Sequence, residues 1–155
     1  GWPRPARMIL RPAAETALEA LSAVHRRAFT PGWSADEIAD LASGPGAFGL
    51  IVEVEGPLGM ILCRALAGEA EVLTLAVDPD ARRRGVARAL VAAAAAAAKA
   101  AGADAMFLEV AVDNDPALAL YEAHGFVRAG RRPSYYDRGG GIYVDAVVMR
   151  LDLGA

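Results

Sequence analysis

The sequence is poor in the residues that build disulfide frameworks and metal centres. It has one cysteine, Cys63, and two histidines, His25 and His124, among 155 residues. A single cysteine excludes an internal disulfide and a cysteine-based zinc cluster, so we interpret Cys63, which lies in an apolar run, as a core residue. The two histidines are isolated in the sequence, and we interpret them as surface or capping residues. No metal site is expected.

Long hydrophobic runs and strong net charge are also missing. No apolar run approaches the ~18 residues that a membrane helix needs, and residues 1–4 carry no signal-peptide pattern. Lys and Arg number 16 against 19 Asp and Glu, a net charge of −3, which argues against nucleic-acid binding through bulk charge. Only the local clusters at 82–84 and 131–132 remain available for phosphates. We therefore expect a cytoplasmic protein that binds neither membrane nor nucleic acid directly.

The first half of the chain predicts a short strand, two helices and three strands. The length suits one domain, which we place at residues 4–153. A strand is expected at Met8–Leu10 and a helix from Pro12 to about Phe29. The capping-box pattern that begins at Ser34 predicts a second, short helix. Three apolar runs separated by turn residues then predict consecutive antiparallel hairpins, at residues 48–54, 58–66 and 71–77.

The second half predicts two more helices and three more strands. Residues 86–101 contain seven consecutive alanines and predict a long helix. Residues 105–112 are apolar on both faces, which predicts a central strand covered on both sides. A short helix is expected to follow, with Asn114 or Asp115 as its cap. Strands are then expected at 126–131 and 142–153, separated by a loop that contains Tyr135, Tyr136 and a run of three glycines.

The segment 82–87, Arg-Arg-Arg-Gly-Val-Ala, lies where the long helix begins. Cations at the start of a helix oppose its dipole by ~0.3–1 kcal/mol each, which makes sense if an anion binds there. A glycine followed by small residues lets the free N–H groups of the first turn approach a phosphate. The alternative is an ordinary strand-turn-helix whose basic start is solvated. The segment is neither a Walker A loop nor a dinucleotide-binding loop.

Together these motifs resemble the GNAT family of N-acetyltransferases, and within it the RimI type, which acetylates the N-terminal alanine of a ribosomal protein. Arg82, Gly85 and Ala87 occupy the fixed positions of the family's R/Q-x-x-G-x-G/A loop. The order of predicted elements is also that of the family. The resemblance therefore implies an α/β (α+β) single-domain GNAT fold, with a mixed, mostly antiparallel sheet of about seven strands and about four helices. The RimI-like residues are 76–79, 108–110, 114, 119–122, 125–126 and 135–136.

The resemblance also implies a set of site residues. Acetyl-CoA is the expected co-substrate, with no metal. Its pantetheine arm and acetyl carbonyl would contact the main chain of one strand, its diphosphate would bind the Arg/Gly loop, and a protein or peptide N-terminus would be the acceptor. The expected donor-binding residues are Leu75, Ala76, Val77, Arg82, Arg83, Arg84, Gly85, Val86, Ala87, Arg88 and Asn114. Trp33, Tyr135 and Tyr136 are expected to wall the acceptor groove.

Two residues are expected to move protons. Glu109 is the only charge in an apolar strand, where a lone ionised group is costly unless it is paired or useful. RimI-type enzymes use the matching glutamate as general base; the alternative is an ion pair with an arginine of a neighbouring strand. Tyr121 matches the general acid of the RimI type. A phenol of pKa ~10 is protonated at neutral pH, so it is able to donate to a thiolate of pKa ~8.5. The alternative is a packed tyrosine whose hydroxyl bonds the backbone.

The acceptor remains the most open question. An α-amine has a pKa of ~7.7–8.0 and a lysine amine ~10.4, so a carboxylate base suits the first better than the second. The leading hypothesis is a protein N-terminal acetyltransferase that acts on a small-subunit ribosomal protein. The alternatives are an acetyltransferase of a small amine, such as a polyamine, antibiotic or amino acid, and a sensor that binds acyl-CoA without transfer. The sequence does not indicate the oligomeric state.

Overall fold

The structure, a computed structural model, describes residues 9–12, 18–29, 32–82 and 85–154. Seven strands form one sheet in the order β1-β2-β3-β4-β5-β7-β6. All neighbours are antiparallel except β4 and β5, which are parallel. The predicted mixed, mostly antiparallel sheet is therefore confirmed. The elements are β1 Ile9–Pro12, α1 Leu18–Ala28, α2 Ala35–Ala42, β2 Ala47–Glu53, β3 Pro57–Leu66, β4 Glu69–Val77, a 3₁₀ turn Pro79–Ala81, α3 Val86–Ala100, β5 Ala105–Ala111, α4 Asp115–Ala123, β6 Val127–Asp137 and β7 Tyr143–Asp152.

The predicted start of the first helix is wrong. Pro12 is the last residue of β1, opposite Leu50 of β2, and the described part of α1 begins at Leu18. An edge strand tolerates proline because one side of its backbone needs no ladder hydrogen bond. Met8, expected to open this strand, lies outside the described residues.

The helix α2 begins as the capping-box pattern predicts. The Ser34 hydroxyl accepts from the Glu37 N–H at 3.2 Å, and the Glu37 carboxylate accepts from the Ser34 N–H at 3.3 Å. The preceding turn depends on Gly32, since a Cβ there would lie 2.3 Å from the Arg26 Cα atom. The loop between α1 and α2 is thus packed directly onto the backbone of α1.

The helices lie in two layers, one on each face of the sheet. On one face, α3 and α4 bury a core that includes Leu90, Leu108 and Phe126. On the other face, α1 and α2 bury a second core around Leu21, Val24 and Ile38. Cys63 is fully buried in the first core, as predicted, and its burial raises the pKa of the thiol to about 12.

The helix α3 approaches the sheet closely at Gly59 of β3. A Cβ at this position would lie 2.6 Å from Val86 Cγ1 and 3.1 Å from Leu90 Cδ1. Its alanines Ala94 and Ala98 are fully buried. Small residues on both sides therefore set the distance between the sheet and the start of α3.

The strand β6 is longer than predicted, and the placement of Tyr135 and Tyr136 in a loop is wrong. Both tyrosines belong to β6, where Tyr136 pairs with Val144 after a bulge between Arg132 and Tyr136. The Asp145 carboxylate accepts from the Ser134 N–H at 2.8 Å and from Arg131 Nε at 2.7 Å. These bonds hold the extra residues of the bulge against β7, so the strand continues past it.

No helix within the described ranges is long and apolar enough to cross a membrane.

Candidate active site

The parallel strands β4 and β5 separate part of the way along their length. Their ladder contains three residue pairs and ends at Glu71 and Phe107. Beyond this point β5 continues to pair with β7, up to Ala111, while β4 continues to pair with β3, up to Val77. The sheet therefore has a wedge-shaped gap in its middle that is open toward the carboxyl ends of the two strands.

A β-bulge lies at the start of this gap. Cys63 and Leu62 of β3 pair with Val72 and Thr74 of β4, so Leu73 is an extra residue. Bulges bend a strand and increase its twist, which here turns β4 away from β5. The predicted donor-binding residues Leu75, Ala76 and Val77 follow the bulge. Among the strands that the structure describes, they pair with β3 alone. Their other main-chain edge faces the gap, where it can pair with an amide-containing ligand.

The Arg/Gly loop lies at the open end of the gap. Gly85 has a φ of 82°, a left-handed conformation that favours glycine, and it is the N-cap residue of α3 without any side-chain capping bond. Val86 is buried in the core, whereas Arg82 and Arg88 are exposed. Arg83 and Arg84 lie outside the described residues. The described part of the loop thus fits a phosphate: a glycine, an uncapped helix start and exposed guanidinium groups.

Glu109 lies on the face of β5 opposite the α3–α4 core, and the prediction that this strand is covered on both sides is wrong. Phe107, Glu109 and Ala111 line a half-buried face. Phe107 and Glu109 border a cavity of about 320 Å³. The cavity is lined by Arg64, Leu66, Glu69, Ala70, Glu71, Phe107, Glu109, Arg132 and Val148.

The Glu109 carboxylate forms an ion pair with Arg132 of β6, the alternative considered from the sequence. Glu109 Oε1 lies 3.1 Å from Arg132 Nε, with the side chains 15% and 57% exposed respectively. Burial and the nearby Glu71 carboxylate raise the pKa of Glu109, and Arg132 opposes this shift. The pair does not exclude a role as base. The pKa of Glu109 stays above that of an ordinary glutamate, so its carboxylate holds a proton more strongly.

Tyr121 lies on the other side of β5, in the α3–α4 core. It is 7% exposed, and its ring contacts Phe126 edge-on with centroids 5.5 Å apart. Burial raises the pKa of its phenol well above the usual value, with smaller contributions from Cys63 and Tyr136. Within the described part of the chain its hydroxyl makes no hydrogen bond, so the alternative of a hydroxyl fixed to the backbone is not found there.

Tyr136 lies in β6, within electrostatic range of both predicted proton-transfer residues. Burial, together with Tyr135 and Glu109, raises the pKa of Tyr136 to about 12, and Tyr136 in turn raises the pKa of Tyr121. Tyr135 packs edge-on against Tyr136 at 5.0 Å, and the Arg132 guanidinium lies 5.6 Å from the Tyr135 ring centroid. That these residues act in one site stays a prediction.

Trp33 lies on the α1 side of the sheet, outside the cavity lining. Its ring stacks on the His25 ring with centroids 4.5 Å apart, and the backbone N–H of Trp33 donates to His25 Nδ1 at 2.9 Å. His25 Nε2 therefore carries the proton and donates to Thr74 Oγ1 at 3.1 Å, beside the bulge in β4. The interpretation of His25 as a surface or capping residue is wrong, because it is 3% exposed. That Trp33 walls the acceptor groove stays a prediction.

Two further predictions concern the ends of α4 and β6. Asn114 caps α4, where its Oδ1 accepts from the Ala117 N–H at 3.2 Å; a contact with CoA stays a prediction. His124 is the C-cap residue of the same helix, as expected. The glycine-rich turn is held in place, because Arg138 forks onto the Asp113 carboxylate at 2.6 and 2.7 Å.

Sequence reasoning missed the partners of the basic residues near the site. Arg131 and Arg132, interpreted as available for phosphates, bind carboxylates instead. The Glu71 carboxylate, which acts on Glu109, and the pair between Arg27 and Asp78 were not predicted. Each joins residues far apart in the chain, which strand register or the packing of α1 on the sheet brings together. The odd positions of residues 105–111 could have indicated which face Glu109 occupies, since strand side chains alternate.

Comparison with known proteins agrees with this geometry. Residues 16–126 match the model of the Acetyltransferase (GNAT) family. The chain belongs to the GNAT family. The GNAT fold implied by the sequence is also that of a solved relative: the ribosomal-protein-S18-alanine N-acetyltransferase from Escherichia coli superposes with a TM-score of 0.87. It is 28% identical, and the match covers 96% of this chain and 95% of that one.

Curated GNAT relatives match a shorter part of the chain. The ribosomal protein bS18 alanine N-acetyltransferase of Salmonella typhimurium is 36% identical over 92 residues, which are 59% of this chain and 62% of that protein. The N-alpha-acetyltransferase RimI of Mycobacterium tuberculosis is 43% identical over 86 residues, which are 56% of this chain and 51% of that protein. The chain thus spans less than two thirds of the length of these relatives.

Proposed function

We propose that this GNAT protein is an acetyl-CoA-dependent N-acetyltransferase that acts on a protein N-terminal α-amine. The observation that carries the proposal is the gap between β4 and β5, which has Glu109 on one face of the sheet and Tyr121 on the other. We further propose that the acceptor is the N-terminal alanine of a small-subunit ribosomal protein. This finer assignment is supported by the similarity to the ribosomal-protein alanine N-acetyltransferases of Salmonella typhimurium and Escherichia coli.

Acetyl-CoA fits the gap through groups that the chain itself provides. The main chain of residues 75–77 would bind the pantetheine amides, and an N–H there would stabilise charge on the acetyl oxygen. Gly85 and the first turn of α3 would bind the diphosphate, with Arg82 and Arg88 beside it. Arg83, Arg84 and Asn114 are proposed as further contacts on the basis of the resemblance alone.

Glu109 would serve as the general base. A protein α-amine of pKa ~7.7–8.0 needs only ~1–1.4 kcal/mol to become neutral at pH 7, at ~1.36 kcal/mol per unit. A carboxylate whose pKa is raised by burial is better matched to this task than an ordinary glutamate. The cavity on this face would provide the route by which an amine reaches Glu109. Trp33, Tyr135 and Tyr136 are proposed, on the basis of the resemblance alone, to wall the acceptor groove outside this cavity.

Tyr121 would serve as the general acid from the opposite face. An amine that attacks a thioester carbon approaches from one side, and the thiol departs from another. A base and an acid on opposite faces of the sheet suit this arrangement, since each lies on the side where its proton moves. The phenol of Tyr121 is protonated at neutral pH, because the ordinary pKa of a tyrosine, ~10, already lies well above 7, and burial raises it further.

The experiment compares acceptors and then removes the base. Acetyl-CoA would be supplied with a peptide that begins Ala-Arg, with the same peptide blocked at its N-terminus, and with a panel of polyamines, aminoglycosides and amino acids. We expect acetylation of the free N-terminus only, and a fall of kcat by ~10²–10⁴ in Glu109→Gln at saturating peptide.

Three outcomes would contradict the proposal at different levels. Acetylation of the small amines alone would exclude the protein acceptor. Binding of acetyl-CoA without transfer to any acceptor would indicate a sensor. An unchanged kcat in Glu109→Gln would leave the activity standing and remove Glu109 as the base.

A further inference from the structure

An ion-pair cluster joins the end of α1 to the turn that follows β4. Arg27 Nε donates to Asp78 Oδ2 at 2.6 Å, and Arg27 Nη2 donates to Asp78 Oδ1 at 3.2 Å and to Asp80 Oδ2 at 3.2 Å. The Asp78 side chain is 12% exposed, and its Oδ1 also accepts from the Asp80 N–H at 2.9 Å. A single guanidinium therefore holds both carboxylates of this turn.

These carboxylates lie in an unfavourable place for donor binding. The turn Pro79–Ala81 leads directly into Arg82 and the Arg/Gly loop, where the proposed function places the diphosphate of acetyl-CoA. Two uncompensated carboxylates beside that loop would repel the phosphates. They would also compete with the phosphates for Arg82, which is close enough to contribute to the lowered pKa of Asp78. Arg27 reduces both effects, because its positive charge offsets one of the two negative charges from the side of α1.

The cluster also fixes the position of the turn. The fork from Arg27 is a bidentate, charge-assisted contact, which restrains orientation as well as distance. Asp78 N–H donates to the Leu58 carbonyl at 2.7 Å, so the turn is attached both to β3 and to α1. The loop that follows thus starts from an anchored residue, although Arg82 itself is exposed.

We propose that Arg27, acting through Asp78 and Asp80, is a positioning residue for the acetyl-CoA diphosphate. The inference rests on the proposed donor site but not on the identity of the acceptor or of the catalytic residues. Arg27 lies outside the Arg/Gly loop, residues 82–87. It would affect donor binding indirectly, through its contacts with these two aspartates. The bland alternative is that Arg27 merely stabilises the fold, as a cation in the last turn of a helix and as a partner of Asp78.

Two acetyl donors distinguish these possibilities. S-acetylpantetheine carries the same thioester and arm as acetyl-CoA but lacks the diphosphate. In Arg27→Gln we expect the KM for acetyl-CoA to rise about tenfold, equivalent to ~1.4 kcal/mol, with kcat changed less than about twofold. The KM for S-acetylpantetheine should not change. In 1 M salt, where the Debye length is about 3 Å, the difference between wild type and variant should shrink.

Further variants separate charge from packing. Arg27→Lys keeps the charge but loses the fork, and should recover part of the acetyl-CoA affinity. Arg27→Gln combined with Asp78→Asn removes one uncompensated carboxylate and should lower the KM again relative to Arg27→Gln alone. Arg128→Gln breaks an exposed pair with Glu122, 3.3 Å apart, that does not involve the turn after β4, and should leave the KM for both donors unaffected.

The outcomes that overturn the inference differ from those that overturn the proposed function. An equal loss with both donors, or an unchanged KM for acetyl-CoA, would show that Arg27 has a structural role only. If the wild-type protein transferred no acetyl group, the proposed function would fail. Calorimetric affinities for CoA and for pantetheine would then still test Arg27, since neither requires turnover.

Discussion

Two substitutions that flank Glu109 are expected to move its pKa in opposite directions. Arg132 lies 3.1 Å from the carboxylate and favours its ionised form, whereas Glu71 opposes ionisation. Arg132→Gln should therefore raise the pKa of Glu109, and Glu71→Gln should lower it. The second change also frees Arg64, which lies 3.4 Å from Glu71, and an unpaired guanidinium in the same cavity acts in the same direction.

The size of the shift follows from the exposure of the pair. The Arg132 side chain is 57% exposed, so its attraction to Glu109 is screened by solvent and belongs with exposed ion pairs, at ~0.2–1 kcal/mol. Removing it should therefore raise the pKa of Glu109, by the equivalent of no more than ~1 kcal/mol. Glu71→Gln should lower the pKa by a comparable or smaller amount, because that side chain is also partly exposed.

The assay is the pH dependence of kcat/KM for the alanine peptide, measured from about pH 5 to 9. This quantity reports pKa values of the free enzyme and the free substrate. The amine of the peptide, at ~7.7–8.0, contributes the same break in every variant, so any shift between variants belongs to the enzyme. Arg131→Gln is the control, since Arg131 lies on the same strand but binds Asp145. Shifts of equal sign in Arg132→Gln and Glu71→Gln, or a shift in the control alone, would refute the assignment of Glu109.

Three other predictions test the acid, the base and the packing of the site. Tyr121→Phe should lower kcat by ~10²–10⁴ without a large change in melting temperature, because the hydroxyl has no hydrogen-bond partner in the described part of the chain. An unchanged kcat, or a loss of activity that is matched by a loss of folded protein, would contradict the role. The raised pKa of Glu109 means that its stabilising contribution is present below the unfolded value of ~4.3 and is lost as pH rises through the folded value. Thermal melts should therefore show Glu109→Gln gaining stability relative to wild type as the pH rises from about 4 through the raised folded pKa of Glu109, and a constant difference would contradict this. Gly59→Ala should destabilise by ~1–3 kcal/mol in denaturant melts, because its Cβ would lie 2.6 Å from Val86. The control Gly130→Ala, where the nearest side-chain atom would be 3.7 Å away, should not.

Local rules account for the parts of the fold that the sequence predicts. The capping box at Ser34 and the Asn114 cap each depend on residues within a few positions of one another, and each is found. The apolar, β-branched runs of β2 to β5 likewise identify strands because pleated, buried surfaces favour these residues. The order of elements follows from such signals alone.

Long-range contacts account for the parts that could not be predicted. Pro12 belongs to β1 because it pairs with Leu50, and Tyr136 belongs to β6 because Asp145 holds the bulge before it. His25 is buried because Phe29 and Trp33 stack on its ring and the Thr74 hydroxyl accepts a hydrogen bond from it. Leu50, Asp145 and Thr74 are all distant in the sequence from the residues they contact. Only Phe29 and Trp33 are close in the sequence to their partner, His25.

The bulge at Leu73 is the feature that would let the two predicted proton-transfer residues act on one reaction. Alternation along β5 directs Glu109 to the face opposite Leu108 and Val110, which pack in the core with Tyr121. In a continuous sheet these faces would be separated by paired backbone, and no ligand could reach both groups. Because the extra residue turns β4 away after Glu71, the sheet is open between the two faces. A single added residue in one strand would thus allow one bound ligand to meet both side chains, and the period-two alternation of residues 71–77 does not reveal that residue.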